Sequence, residues 1–183
     1  MGFYKEYILN SGEKLVVRNA NISDAYNFTN FTNKLFKETS NFVRGKEDDD
    51  VTVEMQTNYI DKHLQSKNGL LLLAEINNQI VGHAHLEEKS SKFKLKHRSE
   101  FGIGILKDYW GIGIAQILMQ EIIDFAYTTN FEQIELVVIN SNERAKSLYR
   151  KFGFVEFGIF KNSFKYANGT YDDGIYMIKT LKD

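Results

Sequence analysis

The sequence of 183 residues contains no cysteine and no proline. Without cysteine the chain can form no disulfide, bind no zinc through thiolates and use no thiol nucleophile. Without proline, glycine and asparagine must shape its turns. No apolar run approaches the roughly 20 residues that a membrane helix needs, and residues 1–6 lack the apolar region of a signal peptide. We therefore expect a cytoplasmic protein that has no membrane partner.

A large excess of charge of one sign is also missing. Lysine and arginine total 23 and aspartate and glutamate 24, which leaves a formal net charge of −1 at pH 7. This balance does not favour nucleic acid or an anionic membrane as a partner. Hydrophobic residues make up 43% of the chain and aromatic residues 14%, which is enough for a folded core. The length predicts a single domain over 1–183.

The hydrophobic pattern predicts an α/β (mixed α+β) fold. The elements follow the order ββ-α-α-βββ-α-β-α-ββ, which predicts one mixed sheet with helices on its faces. Ser23 is placed to cap the first helix, and Asp50 to cap a second helix over about 51–65. That second helix is expected to bury Val53, Tyr59, Ile60 and Leu64. Alternating apolar residues over 93–106 predict one long strand, which becomes apolar on both faces after Gly102.

This strand runs into a glycine-spaced turn, and the turn opens directly into an amphipathic helix. Gly111 and Gly113 have no Cβ, so a ligand can approach the backbone closely, and the helix start offers free N–H groups and a positive dipole end. These features predict a site for phosphate or pyrophosphate. A P-loop would need lysine after Gly113, and a dinucleotide-binding loop would need glycine in place of Gln116. A strand-to-helix junction that binds no ligand is the alternative.

Two segments resemble the GCN5-related N-acetyltransferase (GNAT) superfamily. Residues 110–115, Trp-Gly-Ile-Gly-Ile-Ala, resemble its coenzyme A loop, Arg/Gln-x-x-Gly-x-Gly/Ala, in all but the first position. Residues 138–154 match its Val-x-x-x-Asn-x-x-Ala-x-x-Leu-Tyr-x-x-x-Gly-Phe pattern at every defined position. The resemblance covers about 98–180 and, more weakly, 18–25. Because Trp110 replaces Arg or Gln, the loop is expected to bind mainly through its backbone, with little charge-dependent affinity from Trp110.

The resemblance implies a GNAT fold with a mostly antiparallel sheet and an enzyme that transfers acetyl from acetyl-CoA to a primary amine. Attack on the thioester would be direct, with no acyl-enzyme and no metal. The implied cofactor-binding residues are Gly104, Ile105, Leu106, Trp110, Gly111, Ile112, Gly113, Ile114, Ala115 and Asn142. The expected acceptor is a small amine, such as a polyamine, an amino acid or an antibiotic. A protein N-terminus and a non-catalytic acyl-CoA-binding module are the alternatives, and the chain is a candidate homodimer.

The resemblance also implies two catalytic residues. Tyr149 would protonate the departing thiolate, since a phenol pKa of ~10 lies near that of a thiol; packing in the core is the alternative role. Glu100 lies five residues before Ile105, where several small-amine acetyltransferases carry a glutamate. As a buried carboxylate with a raised pKa it would deprotonate the amine through water. The alternative is a surface residue within the charged stretch 96–100.

Three further features allow more than one interpretation. His83, His85 and Glu87 share one strand face, which is either a metal site or, as we favour, a solvated face. The acidic stretch 47–50 either attracts a cationic amine or is a solvated loop. The hairpin tip over 166–173 either borders the acceptor site or is a plain Asn-Gly turn.

Overall fold

The computed structural model describes residues 2–182, and its elements follow the predicted order. Eight strands form one sheet in the order β1-β2-β3-β4-β5-β6-β8-β7. The strands are β1 Tyr4–Ile8, β2 Lys14–Asn19, β3 Leu70–Ile76, β4 Gln79–Glu88, β5 Arg98–Ile105, β6 Gln133–Ile139, β7 Val155–Lys165 and β8 Tyr171–Thr180. The helices are α1 Ala25–Glu38, α2 Val53–Gln65, α3 Ile114–Tyr127 and α4 Glu143–Lys151. The mixed, mostly antiparallel sheet confirms the predicted fold class.

The feature that positions the site is the pairing of β5 with β6. These two strands are parallel, and their ladder joins 98–100 to 133–135. Beyond it, β5 stays paired with β4 as far as Ile105, and β6 stays paired with β8 as far as Ile139. Past Glu100 the two strands therefore separate, and a gap opens in the middle of the sheet.

Helices cover both faces of the central strands, which explains why β3 reads as an unbroken apolar run. Leu70 and Leu72 belong to the core beneath α3, while Leu71 and Leu73 belong to the core beneath α1 and α2. Alternation along a strand sends successive side chains to opposite faces, so each core receives every second residue. In the described residues, no helix is long and apolar enough to span a membrane.

The predicted helix starts were wrong by one or two residues. A short 3-10 turn capped at Asn21 precedes α1, so Ser23 lies inside that turn and does not cap the helix. Helix α2 is capped by Thr52, whose hydroxyl accepts from the backbone N–H of Met55 at 3.2 Å. Asp50, the predicted cap, lies two residues outside. The Thr52 hydroxyl thus satisfies a free N–H group of α2. At the 3-10 turn the Asp24 carboxylate instead accepts from the backbone N–H of Asn21 at 2.7 Å.

Two apolar patterns were also misread. Val53 and Leu64 were expected in the core, but 43% and 48% of their surface is exposed. The alternation from Phe93 does not form a strand, because β5 begins only at Arg98 and Phe93 is 81% exposed. Residues 93–97 form turns instead. Periodicity alone does not report whether a second layer is present to cover the apolar face.

Candidate active site

A cavity of about 700 Å³ fills the gap between β5 and β6. Its walls are the second half of β5, the turn before α3, the middle of β6 and one side of α4. Volumes of this size are typical of small-molecule and cofactor sites. The cavity therefore lies where the strands separate, and the sheet itself determines its position.

The glycine turn forms one end of this cavity. Gly111 and Gly113 have φ of +85° and +98°, a conformation that favours glycine. A Cβ on either residue would meet no atom within 4 Å, so the space in front of them is open. Within the part of the chain described, the backbone N–H groups of 111–115 donate no hydrogen bond to protein. Five consecutive free donors at the start of α3 form a site for an anion.

Trp110 lies at the boundary between β5 and this turn. Its indole Nε1 donates to the carbonyl oxygen of Ile105 at 2.8 Å. The guanidinium of Arg144 lies over the ring, 4.7 Å from its centroid. All three residues line the cavity. The tryptophan thus ties the end of β5 to the start of α4, a role that the sequence pattern did not suggest.

Asn142 caps α4 beside the cavity. Its side-chain carbonyl accepts from the backbone N–H of Ala145 at 3.2 Å, which satisfies one free donor at the helix start. The residue also lines the cavity. Asn142 therefore binds the local backbone, and its contact with the cofactor stays a prediction.

Tyr149 lies on the inner face of α4 and is 8% exposed. Its ring packs edge-on against Phe101, with centroids 6.2 Å apart, and also against Phe154. The residue lines the cavity, and its hydroxyl donates to no side chain or carbonyl in residues 2–182. Burial raises its pKa well above the usual value, so the phenol stays protonated at neutral pH. Tyr149 is therefore packed in the core and also lines the cavity.

Glu100 does not lie where the sequence interpretation needs a buried base. It is exposed, and it is not among the residues that line the cavity. It is paired across the ladder with Glu87 of β4 and Glu135 of β6. The expectation of a buried carboxylate at this position was wrong, since the gap opens only after Glu100.

Two of the predicted cofactor-binding residues, Leu106 and Ile112, do not line the cavity. Leu106 is 1% exposed and packs in the core beneath α1 and α2. Ile112 is partly buried against the core beneath α3. Their side chains anchor the turn to both cores, whereas Gly104 and Ile105 face the cavity as expected.

The histidines of β4 pack against the β5 backbone. A Cβ on Gly104 would lie 2.9 Å from Cε1 of His83, so glycine is needed there. Burial lowers the pKa of His83 to about 3 and that of His85 to about 4, so both rings are neutral at pH 7. Both Nδ1 atoms are inaccessible to solvent and have no partner among the described residues. The favoured interpretation as a solvated face was therefore wrong, although no cluster in residues 2–182 is arranged to hold a metal ion.

Another part of the cavity wall is formed by the connection between α1 and α2. Its lining residues there are Thr39, Asn41 and Phe42. The acidic stretch 47–50 lies in the same connection but does not line the cavity. Asp50 forms an ion pair with Lys37 at 2.7 Å. The sequence pattern did not identify these three lining residues, because no recurring spacing marks a connection of this kind.

The hairpin between β7 and β8 reaches the edge of the cavity. Asp172 accepts a hydrogen bond from the backbone N–H of Ser141, which lines the cavity, at 3.2 Å. Burial raises the pKa of Asp172, but hydrogen bonds from Ser141 outweigh this effect and hold the pKa below its usual value. The hairpin is therefore more than an isolated Asn-Gly turn.

Comparison with known proteins relates these features to a family. The profile of the acetyltransferase (GNAT) family matches residues 31–154. Spermidine N(1)-acetyltransferase from Escherichia coli K12 is 31% identical over 126 residues, 68% of this chain and 65% of that protein. L-amino acid N-acetyltransferase from the same strain is 33% identical over 111 residues, 59% of this chain and 66% of that protein. The chain thus spans about two thirds of the length of these curated relatives.

Solved structures share the fold. An acetyltransferase of the GNAT family from Streptococcus pneumoniae has a TM-score of 0.85 at 27% identity, covering 91% of this chain and 99% of that one. A putative acetyltransferase from Salmonella typhimurium, solved with its cofactor acetyl-CoA, has a TM-score of 0.82 at 17% identity. That comparison covers 92% of this chain and 95% of the other, and at this identity it supports the fold alone.

Proposed function

This chain belongs to the acetyltransferase (GNAT) family, and we propose that it transfers the acetyl group of acetyl-CoA to a small primary amine. One observation carries the proposal: the cavity between the separated strands runs from the free amides of the turn to the hydroxyl-bearing Tyr149. An elongated thioester with an anionic end fits a cavity with this order of groups. The match of residues 31–154 to the acetyltransferase (GNAT) family supports an acetyl donor.

In this proposal the pyrophosphate binds the amides of 111–115, where donors and the helix dipole act together. The pantetheine arm lies along β5 at Gly104 and Ile105. Past Glu100, β5 has no ladder to β6, so the backbone groups on that side are available to the amide groups of the arm. Leu106 and Ile112 then support the site by anchoring its backbone.

The reaction begins when the neutral amine attacks the thioester carbonyl carbon and a C–N bond forms. The tetrahedral intermediate then collapses, and the C–S bond breaks with its electron pair on sulfur. Tyr149 donates its proton to the thiolate, and the nitrogen loses a proton to a base. The raised pKa of Tyr149 keeps the phenol protonated at neutral pH, and it also makes the phenol a weaker proton donor to sulfur than an exposed tyrosine. No acyl-enzyme forms, which is consistent with the absence of cysteine.

Glu100 remains our proposed base, acting through water. It shares one face of β5 with Gly102 and Gly104, which line the cavity, and successive residues on that face lie about 7 Å apart. His83 lies closer to the cavity wall, against Gly104, but its lowered pKa makes it a weaker proton acceptor. Solvent around the exposed Glu100 then receives the proton.

The acceptor is proposed to be a small cationic amine. The relatives are named for spermidine and for L-amino acids, which are both small amines. The acidic stretch 47–50 belongs to the connection that contributes Thr39, Asn41 and Phe42 to the cavity wall, and it provides negative charge on the approach. A relative from Haemophilus influenzae, 31% identical over 116 residues, is instead named for alanine of ribosomal protein bS18. An N-terminal peptide is therefore the alternative acceptor.

Incubation of the protein with acetyl-CoA and a panel of polyamines, amino acids and N-terminal peptides tests this function. Mass spectrometry should detect a gain of one acetyl group on a small amine, with release of stoichiometric free thiol. If only peptides are acetylated, the acceptor is an N-terminal peptide and not a small amine. Tight binding of acetyl-CoA without transfer to any member would indicate a non-catalytic acyl-CoA-binding module.

A further inference from the structure

Two cationic side chains, Arg144 and Lys151, line the cavity and have no carboxylate partner in residues 2–182. Arg144 lies in the first turn of α4, exposed to solvent and lining the cavity. In the described chain it forms no ion pair, whereas Arg18, Arg98 and Arg150 each bind a carboxylate. The neighbouring Glu143 is directed elsewhere, 2.6 Å from Nζ of Lys146. The charge of Arg144 is therefore uncompensated at the cavity wall.

An aromatic ring holds this arginine in place. The guanidinium stacks on Trp110 at 4.7 Å, and the indole is itself fixed by its hydrogen bond to Ile105. Stacking restricts a flexible side chain while leaving its N–H groups free in the plane of the guanidinium. A restricted donor loses less conformational freedom when a ligand binds.

Arg144 and Trp110 lie where the family pattern has a polar side chain that this chain lacks. In the family pattern an arginine or glutamine stands where this chain has Trp110, directly before the amides of 111–115. Tryptophan has no positive charge, but it places the Arg144 guanidinium beside that same turn. Lys151 also lines the cavity, with Nζ 3.3 Å from the side-chain oxygen of Gln116 on α3. Two cations from α4 thus face the anion-binding end of the cavity.

We propose that Arg144, seated on Trp110, is the cationic contact for a phosphate group of acetyl-CoA and substitutes for the side chain that the turn lacks. This inference rests on the proposed function, since it assigns a residue within the same cofactor site. Guanidinium groups bind phosphate through paired, charge-assisted hydrogen bonds. Trp110 is then a positioning residue whose effect on affinity passes through Arg144.

Titration calorimetry with acetyl-CoA compares the wild type with Arg144→Ala, Arg144→Lys, Trp110→Leu and the matched control Arg150→Ala. Arg150 is on the same helix but is paired with Glu156. We expect Arg144→Ala to weaken binding about tenfold, as loss of a charged hydrogen bond does, and Arg150→Ala to leave it unchanged. Lysine should restore part of the affinity. The difference from wild type should shrink at high salt.

A second arm identifies the phosphate. If Arg144→Ala binds dephospho-CoA more weakly than the wild type does, the contact is to the pyrophosphate. If the two proteins bind dephospho-CoA equally well, the contact is to the 3′-phosphate. A double variant, Trp110→Leu with Arg144→Ala, should bind no more weakly than Arg144→Ala alone. Equal affinity of Arg144→Ala and Arg150→Ala would overturn the inference while leaving the cofactor assignment intact. Failure of the wild type to bind acetyl-CoA would overturn the proposed function and this inference with it.

Discussion

Two parts of the cavity wall, which we call the proposed cofactor end and the proposed acceptor end, are built differently. At the cofactor end, the contacts come from backbone amides in the glycine turn and from the edge of β5. At the acceptor end, they come from side chains in the connection between α1 and α2 and from the edge of the β7–β8 hairpin. Contacts from the backbone depend on its φ angles and on where the helix begins, whereas contacts from side chains depend on the identity of each residue. In our proposal the cofactor end therefore indicates the class of cosubstrate, and the acceptor end determines which amine fits.

Tyr149 lines the cavity and is the proposed proton donor, so its substitution should give the largest effect. Tyr149→Phe keeps the ring packing against Phe101 but removes the proton donor, so kcat should fall about 100-fold. The dissociation constant of acetyl-CoA should stay the same, because the phosphate contacts are distant from the hydroxyl. Steady-state kinetics and calorimetry measure the two quantities. The control Tyr127→Phe alters an exposed phenol on α3 and should change neither.

The pH dependence provides a second check on Tyr149. Its pKa is raised above the ordinary value, so the acid should remain protonated and kcat should show no loss from this group between pH 7 and about 10. A decline of kcat with an apparent pKa near 8, absent from the phenylalanine variant, would contradict this assignment.

Glu135 lies where β5 and β6 are still paired, beside the gap. Its substitution should lower the stability of the fold. Hydrogen bonds from Arg98 and Lys89 outweigh the effect of burial and lower its pKa to about 2. Because the folded pKa is below the usual 4.5, the carboxylate stabilises the fold above about pH 4.5 and loses that effect as pH falls towards 2. Glu135→Gln should lower the free energy of unfolding by about 2 kcal/mol at pH 7.

Urea unfolding at pH 7 and at pH 3 measures this contribution. The difference between wild type and Glu135→Gln should be smaller at pH 3, since part of the wild-type carboxylate is then protonated in the unfolded chain. Glu132→Gln is the matched control, because Glu132 is exposed and forms no ion pair in residues 2–182. A difference that is the same at both pH values would mean that the charge of Glu135 is not what stabilises the ladder.

Substitution of the proposed base should give the smallest kinetic effect. Glu100→Gln removes the proposed base, but because solvent surrounds this position we expect kcat/KM to fall only about tenfold at pH 7. The matched variant His83→Gln tests the ring that lies nearer to the cavity. If only His83→Gln reduces kcat/KM, with an unchanged unfolding midpoint, the proton passes to His83 and the assignment of Glu100 is wrong.

The sequence predicted the cofactor end better than the acceptor end for a physical reason. The turn at Gly111 and Gly113 is local, so its conformation can be inferred from a few consecutive residues. The exposure of Glu100 depends instead on where β5 and β6 separate, which is determined by pairing across the sheet. The stacking of Arg144 on Trp110 joins segments that are distant in the chain, and no spacing pattern reports it.

The fold shows the same division. The order of the elements along the chain followed from apolar alternation and turn residues, and the structure has the same order. The apolar alternation at Phe93 was misleading, because no layer packs against those residues and Phe93 is 81% exposed. The caps at Asn21 and Thr52 were missed because several polar residues compete near each helix start, and backbone geometry decides among them.

The most direct test of the account is acetyl-CoA binding by Gly113→Leu and Gly12→Leu. Both glycines have positive φ, +98° and +85°, and open space at the Cβ position, so both variants carry similar backbone strain. Only Gly113 lies in the cavity. Calorimetry should show at least tenfold weaker binding for Gly113→Leu, about 1.4 kcal/mol, and wild-type affinity for Gly12→Leu. Wild-type affinity in both variants would contradict the assignment of the glycine turn as the phosphate site.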